Sequence, residues 1–357
     1  KMSASTEFSL RIFQFASPQD KNYVISPFSL AAALAIVHDG ARGETQSEIT
    51  RLLGKTLSPS EVSSMYSSLT AALNGTNSTV ITRVANRLYL DRFTPLKPEY
   101  QRHIEKTFNA GVENIDFEDP ERSVVRINEF VRYNTNGMIN QAVDSGSLNG
   151  ESSLLINTVY FKGEWEIPFE SDNTHVSTFH GLEGYRKIPF MNNYELTARY
   201  SLTKDLSVVS LPYKNPSFSM IVLMPHGDFG RWKESLNAQR LEEIVVKSGK
   251  IELKLPKFKI KSKTRANQAL EKCGVKTMFT RGFADFSGIS PQPLRISRIA
   301  QTTVIEVSEW GTEAAAVTSC EWVKDCMPPP LPKLTFDRPF LYAVLREEHI
   351  LFIGQHV

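Results

Sequence analysis

The sequence is poor in cysteine, lacks long apolar runs and has almost no net charge. Only three of its 357 residues are cysteines, Cys273, Cys320 and Cys326, too few for a disulfide framework. Cys320 and Cys326 would lie roughly 20 Å apart in an extended segment, beyond disulfide reach, so we expect free thiols. No apolar run approaches the roughly 18 residues of a membrane-spanning helix. The formal net charge of +2 gives no general attraction to nucleic acid or membranes, and we expect neither as a partner.

Motifs of common enzyme and metal sites are also missing. The sequence has no Gly-x-Ser-x-Gly turn of a serine hydrolase, no His-Glu-x-x-His metal motif, no Cys-x-x-Cys pair and no phosphate-binding glycine loop. Its seven histidines are scattered along the chain. We therefore predict a protein that is not an enzyme, with no catalytic residue, no metal site and no cofactor.

The first half of the chain has mainly the periodicity of helices. Ser26-Pro27 is a favourable helix start, because the serine hydroxyl can cap free backbone N–H groups and proline suits the first helical position. The helix that follows, about 28–39, is apolar on nearly all sides and should be buried. Thr45-Gln46-Ser47-Glu48 matches a capping box, which predicts another helix start. Further helices are predicted over about 58–75, 123–139 and 264–274.

The second half has mainly the pattern of strands. Residues 154–161 are apolar except Asn157 and Thr158, as in a central strand buried on both faces. Residues 218–224 are similar, and 251–255 alternate like a half-exposed strand. Strands are also predicted near 294–310 and 335–355. No repeat or change of composition divides the chain, so we predict one α+β domain spanning residues 1–357.

The segment 311–332 fits neither pattern. A glycine begins it, four prolines lie near its end, and small residues lie between them. Residues 313–316 alone would pass for a helical turn, but the whole composition predicts an exposed loop, and long loops are usually functional. In a strand, alternate small residues would face one side and could enter a sheet without overpacking it. The prolines, which cannot donate ladder hydrogen bonds, would stop such an insertion.

Many motifs in a fixed order make the chain similar to the serpin family over essentially its whole length. They lie at residues 22–29, 40–45, 85–89, 155–165, 211–213, 255–258, 284–288, 311–316, 336–340 and 351–354. The resemblance implies an α+β fold with three β-sheets, eight or nine helices and an exposed reactive-centre loop, about 309–332. In this family a target protease cuts the loop and is held as an acyl-enzyme when the loop inserts into the main sheet. The native fold would be metastable and maintained by a kinetic barrier.

The family's loop hinge and sheet residues carry over position by position. The hinge corresponds to Gly311, Thr312, Glu313, Ala314, Ala315, Ala316 and Val317. The shutter, beneath the point where the sheet opens, corresponds to Ser26, Ser29, Asn157 and Gln301. Gln301 departs from the family, which usually has a histidine there. The breach, at the top of the sheet, corresponds to Trp165, Lys257 and Glu309, and Lys257 and Glu309 are expected to pair.

The residue before the cut bond, the bait residue, has several candidates. Spacing from the hinge glycine gives Asp325, or Lys324 in a loop one residue shorter, whereas counting back from Pro339 gives Met327. Proline after the bond, as at Met327-Pro328, is poor for serine proteases. Lys324 would suit a trypsin-like protease and Asp325 an aspartate-specific, caspase-like one. Cys326, which ranks behind these two, would suit an elastase- or chymotrypsin-like protease.

Three functions are compatible with the resemblance. We expect a monomeric inhibitor of serine-type endopeptidases, whose partner is the target protease. The alternatives are an inhibitor of a cysteine protease and a non-inhibitory carrier, chaperone or storage serpin. The latter would be favoured by bulky or charged hinge residues, which are absent from 314–318. Some serpins bind heparin through a basic helix, but the matching region, 58–75, has no Lys or Arg, so we expect no heparin site there.

The cellular location rests on two short signals. Asn74-Gly75-Thr76 and Asn77-Ser78-Thr79 are candidate glycosylation sites, and they favour an extracellular, secreted glycoprotein. The N-terminus has no apolar signal segment, which is compatible with a removed signal peptide. A cytoplasmic protein is the alternative if Met2 is the native start.

Overall fold

Helices and strands are intermixed along the chain. The computed structural model describes residues 4–54, 57–74, 79–310 and 330–357, without the side chains of residues 4 and 72–74. The nine α-helices in these ranges are α1 (Ala4–Ala16), α2 (Pro27–Gly40), α3 (Gly43–Leu53), α4 (Pro59–Asn74), α5 (Pro98–Phe108), α6 (Pro120–Asn134), α7 (Phe229–Ser235), α8 (Ala238–Glu242) and α9 (Asn267–Lys272). None of them is long and apolar enough to cross a membrane.

Fourteen strands lie in the same described ranges. They are β1 (Tyr23–Ile25), β2 (Val80–Asp91), β3 (Gly111–Ile115), β4 (Ser153–Gly163), β5 (His175–Gly181), β6 (Gly184–Leu202), β7 (Leu206–Pro212), β8 (Phe218–Pro225), β9 (Lys247–Pro256), β10 (Phe258–Arg265), β11 (Arg298–Val307), β12 (Lys333–Thr335), β13 (Phe340–Arg346) and β14 (His349–His356). The α+β class predicted from the sequence is confirmed.

The smaller sheet has five strands in the order β10-β11-β4-β2-β3. Every residue of β4 except Lys162 is buried, which confirms the central strand predicted over 154–161. β11 runs parallel to β4 and pairs with it along most of its length, from Arg298 opposite Leu154 to Ile305 opposite Phe161. We call the boundary between these two strands the seam.

The larger network has nine strands, and β6 connects its two parts. The order is β1-β14-β13-β8-β7-β6-β9-β12, and β5 pairs with β6. The pairing of β6 with β9 shifts register between Asn193 and Leu196. β5 pairs with β6 before this shift, and β7 pairs with it after the shift. Counted as two sheets that share β6, this network and the five-stranded sheet make the three sheets that the resemblance implied.

Apolar side chains cover both faces of the five-stranded sheet. On one face, Leu155 and Ile299 join the cluster around α2, and on the other, Ile156 and Val304 join the cluster around α6. All of α2 except Asp39 is buried, as its apolar sequence predicts. The seam is therefore covered by buried apolar side chains on both faces.

Two local predictions were wrong. Thr45 and Glu48 do not form a capping box, because α3 already begins at Gly43. Instead, Thr45 Oγ1 accepts a hydrogen bond from Asp285 N at 3.0 Å, and Glu48 Oε2 accepts from Lys276 N and Thr277 N at 2.8 Å each. The helix predicted over 264–274 begins only at Asn267, because residues 264 and 265 belong to β10 and pair with β11.

Candidate functional site

The middle of the seam is polar, although the strands around it are apolar. Gln301 of β11 lies opposite Asn157 of β4. Gln301 Nε2 donates a hydrogen bond to Asn157 Oδ1 at 2.5 Å, and neither residue is more than 1% exposed. A side-chain amide pair therefore crosses the boundary between the two parallel strands in addition to the backbone ladder.

The same glutamine holds the start of α2. Gln301 Oε1 accepts from Ser26 N, and Gln301 Nε2 donates to Ser26 O, each at 2.9 Å. The Ser26 hydroxyl caps α2 by accepting from Ser29 N at 3.2 Å, as the Ser26-Pro27 pair predicted. It also donates to Leu351 O at 2.6 Å. The seam is thereby connected to α2 and to β14 through one glutamine and one serine.

Asn157 extends this network towards β2. Its Nδ2 donates to Ser29 Oγ and to Asn86 Oδ1, both at 2.6 Å. Asn86 lies opposite Asn157 on β2, and Thr303 Oγ1 donates to Gln301 Oε1 at 3.0 Å. The structure thus brings together the four residues predicted as the shutter. Sequence reasoning missed Asn86 and Thr303 as members. Asn86 carries no clear signal, because β2 also contains Arg83 and Arg87.

The network contains only serine, threonine, asparagine and glutamine, so none of its members titrates near neutral pH. The amides of Asn157 and Gln301 and the hydroxyls of Ser26 and Thr303 each make at least one hydrogen bond. A buried polar cluster with its partners in place is stable, whereas each partner removed leaves a costly unpaired group.

Glu309, two residues beyond the end of β11, is held by groups from three other segments. Its Oε2 accepts from Lys257 Nζ and its Oε1 from Thr174 Oγ1, both at 2.8 Å, and its backbone oxygen accepts from Phe169 N at 2.7 Å. Burial raises the pKa of Glu309, but the hydrogen bonds from Lys257, the backbone and Thr174 outweigh it and leave the pKa below its ordinary value. The pairing of Lys257 with Glu309 that the resemblance implied is present.

Trp165 contacts the last described residues before 311. Its Nε1 donates to Ser308 O at 2.8 Å, and its backbone N donates to Trp310 O at 3.2 Å. The indole stacks on the Tyr213 ring with centroids 4.5 Å apart and planes 10° from parallel. Trp165, Lys257 and Glu309, predicted as the breach, therefore all surround the point where β11 ends.

Several predicted site residues lie outside the described residues. They are the hinge (Gly311, Thr312, Glu313, Ala314, Ala315, Ala316, Val317), the bait candidates (Lys324, Asp325, Cys326, Met327), Cys320, Asn77 and the side chain of Asn74. Cys273 is described; it is a free, partly buried thiol whose pKa burial raises to about 11. Such a thiol is a poor nucleophile at neutral pH.

One cluster in the described part of the chain combines a serine, a histidine and an aspartate. Asp39 Oδ2 accepts from Ser63 Oγ and from His103 Nε2, both at 2.8 Å. In a hydrolase triad the histidine lies between the serine and the carboxylate, whereas here the carboxylate lies between the other two, so no histidine contacts Ser63 as its general base. Across residues 4–54, 57–74, 79–310 and 330–357, no group of three or more His, Cys, Asp or Glu could hold a metal.

Comparison with known proteins agrees with this architecture. A family model described as "Serpin (serine protease inhibitor)" matches residues 3–357. The leukocyte elastase inhibitor of Homo sapiens is 31% identical over 372 residues, covering 99% of this chain and 98% of that protein. Iripin-2 of Ixodes ricinus is 32% identical, covering 99% and 92%.

Solved structures show the same fold. The thermophilic serpin tengpin in its native state superposes with a TM-score of 0.88 at 26% identity, covering 99% of this chain and 92% of tengpin. Serpin48, described as a highly specific serpin of the insect Tenebrio molitor, has a TM-score of 0.87 at 28% identity, covering 99% and 96%.

Proposed function

Because this chain belongs to the serpin family, we propose that it inhibits serine-type endopeptidases by offering residues 311–332 as bait and inserting the cut segment into the seam. The observation that carries the proposal is the arrangement of β4 and β11. They are adjacent, parallel and buried, and β11 leads within a few residues to position 311. A strand that folds back from there would run antiparallel to both neighbours, which forms a favourable ladder on each side.

The lengths of the chain segments agree with this proposal. β11 has ten residues, about 33 Å of strand. The fifteen residues from Gly311 to Asp325 are joined by fourteen residue steps and would extend for about 46 Å in the same conformation. Insertion of this segment would therefore bring any of the bait candidates Lys324 to Met327 to the far end of the seam. A protease attached there would have been moved along the whole sheet.

The protease's own reaction would stop after the acyl-enzyme has formed and before water hydrolyses it. The protease serine attacks the carbonyl carbon of the bait residue, the peptide C–N bond breaks, and the new amine leaves with a proton from the protease histidine. The serine ester remains on the inhibitor. Insertion of the freed strand would pull the protease against the opposite pole and displace its histidine and oxyanion hole, so that water no longer cleaves the ester.

Incubation with trypsin, chymotrypsin, elastase and a caspase tests the proposal. We expect an SDS-stable complex with at least one serine protease, and mass spectrometry of the released fragment then identifies the bait residue. Thr312→Arg would put a long charged side chain on the inserting face and should turn the inhibitor into a substrate. Simple cleavage by every protease, without a complex, would contradict inhibition, and a complex with the caspase alone would favour a cysteine protease as target.

We also propose, from the two sequons alone, that the protein is secreted and glycosylated at Asn74 or Asn77. Protein produced in eukaryotic cells with its natural leader should appear in the medium and lose mass on treatment with a peptide N-glycosidase. An unchanged mass would contradict glycosylation.

A further inference from the structure

A cavity lies between α1, α2, α4 and the start of β14. In the part of the chain that the structure describes, its volume is about 320 Å³. Buried aromatic residues, Phe8, Phe28 and Tyr66, contribute to its floor, whereas its rim includes Ser5 and His349, which are partly exposed. The cavity therefore opens to solvent on one side and reaches the apolar core on the other.

Small side chains create this space. Ser9 of α1 and Ala31 of α2 line the cavity and are only 3% and 2% exposed, so both lie where a core helix commonly carries a larger apolar residue. The Ser9 hydroxyl donates to Ser5 O at 2.7 Å within α1, so this buried polar atom already has a partner. Close-packed interiors leave few spaces of this size, and small-molecule sites begin at about 300 Å³. The cavity is therefore a candidate ligand site.

The lining of this cavity is uncharged. None of its residues in the described part of the chain is Lys, Arg, Asp or Glu, and burial raises the pKa of Tyr66, so that its hydroxyl keeps its proton. A charged ligand would lose its water there without gaining a counter-charge, which is costly. The ring centroids of Phe28 and Tyr66 are 6.4 Å apart, and aromatic rings pack favourably at such distances. The lining therefore favours an uncharged aromatic ligand.

Polar side chains reach the cavity at its rim. Ser5 Oγ lies 3.5 Å from His349 Nδ1, and both side chains are partly exposed. Deeper inside, the hydroxyls of Ser9 and Tyr66 donate to Ser5 O and Leu53 O, at 2.7 and 3.4 Å. We therefore expect a ligand to place one polar group beside His349 and its apolar body against the floor.

The volume of the cavity limits the size of the ligand. An engineered protein cavity of about 150 Å³ holds one benzene ring. By this measure, about 320 Å³ accommodates two fused rings with one small substituent. We propose that the cavity binds an uncharged aromatic molecule of this size, with a single hydroxyl group at the rim. This site goes beyond protease inhibition and does not depend on it.

Three probes that share one ring system test the chemical class. 2-Naphthol, naphthalene and 2-naphthoate are titrated into the intact protein at pH 7 by isothermal titration calorimetry. We expect 2-naphthol to bind with a dissociation constant on the order of 10–100 μM, as for a good ligand of about eleven non-hydrogen atoms. Naphthalene should bind more weakly, because it lacks the hydrogen bond at the rim. 2-Naphthoate should bind at least about tenfold more weakly, because its carboxylate meets no counter-charge in the lining.

Two substitutions test the location of the site. Ser9→Leu and Met65→Trp each enlarge a side chain that lines the cavity. The matched control is Ser68→Leu, which makes the same change as the first variant at an exposed position of α4. We expect both cavity variants to bind 2-naphthol at least about tenfold more weakly than wild type, and Ser68→Leu to bind it equally well. Excess 2-naphthol should raise the thermal midpoint of wild type and of Ser68→Leu, but not that of the cavity variants.

Each other outcome overturns part or all of this site. Absence of binding by all three probes overturns it entirely, and equal affinity of wild type and both cavity variants for 2-naphthol would place the ligand elsewhere. 2-Naphthoate that binds as tightly as 2-naphthol would overturn the uncharged class. If Ser9→Leu has no cooperative thermal transition, Met65→Trp decides. A wild-type dimer that Met65→Trp converts to a monomer would overturn the ligand in favour of a second copy of the chain.

Discussion

Gln301 of β11 and Asn157 of β4 face each other across the seam, and the glutamine amide donates to the asparagine oxygen. A strand that enters the seam must break this bond together with the backbone ladder. Both side chains are buried, so a polar group left without a partner costs about 1–3 kcal/mol. We therefore expect this amide pair to contribute directly to the barrier that keeps the native sheet closed.

Removing the glutamine amide should weaken the native state. Gln301→Ala leaves Asn157 Oδ1 and the backbone of Ser26 without their partners, and we expect a loss of about 1–3 kcal/mol of stability. Urea unfolding at pH 7 measures this. Gln101→Ala is the control, because its hydrogen bond to Glu105 lies at the surface, and it should change stability by less than about 0.5 kcal/mol. Equal effects of the two substitutions would argue against the role of the seam.

A histidine at position 301 should introduce a pH dependence that the wild-type seam lacks. The native network has no group that titrates between pH 5 and 8, whereas a buried imidazole has a pKa depressed below its unfolded value of about 6.5. A histidine whose pKa is lower in the folded than in the unfolded state contributes stability that is fully present above the unfolded pKa. This stability is lost as the pH falls towards the folded pKa. The thermal midpoint of Gln301→His should therefore decline relative to wild type from pH 8 to pH 5. If the thermal midpoints of Gln301→His and wild type changed with pH by the same amount, this explanation of the seam would be contradicted.

Glu309→Gln should destabilise the native protein at neutral pH and have less effect in acid. The pKa of Glu309 is lowered in the fold, so its contribution is present above the unfolded value near 4.5 and is lost as the pH falls further. We expect a loss of about 1 kcal/mol at pH 7, since Lys257 is partly exposed and water screens the pair. Unfolding rates at pH 7 and pH 3.5 measure the difference. An equal effect at both pH values would show that the charge of Glu309 is unimportant.

Trp165→Phe should loosen the end of β11. The substitution keeps an aromatic ring against Tyr213 but removes the hydrogen bond to Ser308 O, which we expect to cost about 1–2 kcal/mol. Hydrogen exchange at residues 307–310 should become faster. Trp232→Phe, on α7, is the control and should leave these amides unchanged. Identical exchange in the two variants would count against a role for Trp165 at this end.

Local patterns predicted the buried elements well and the long-range polar contacts poorly. The apolar runs of α2 and β4 identify buried elements, and Ser26-Pro27 identifies a helix start whose cap depends on neighbours three residues away. Thr45 and Glu48 match a local motif equally well, yet their partners lie more than 200 residues further along the chain. Sequence spacing contains no information about such partners.

The seam shows the same limit. Asn157 was visible as a polar residue in an apolar strand, but its interaction with Asn86 depends on the antiparallel register of β2 and β4. Gln301 was singled out only through the family resemblance, because periodicity alone gives no reason for a glutamine in β11. The contacts of Thr174 with Glu309 and of His180 with Asp337 likewise became visible only when the sheets were assembled.

The thermal midpoint before and after a single cut at the bait tests loop insertion most directly. We expect the cut protein, with both fragments still associated, to unfold at a clearly higher temperature than the intact protein, because the new strand becomes the sixth strand of the five-stranded sheet and removes the native metastability. Thr312→Arg should not show this increase. A cut wild-type protein whose midpoint is unchanged or lower would contradict insertion into the seam between β4 and β11.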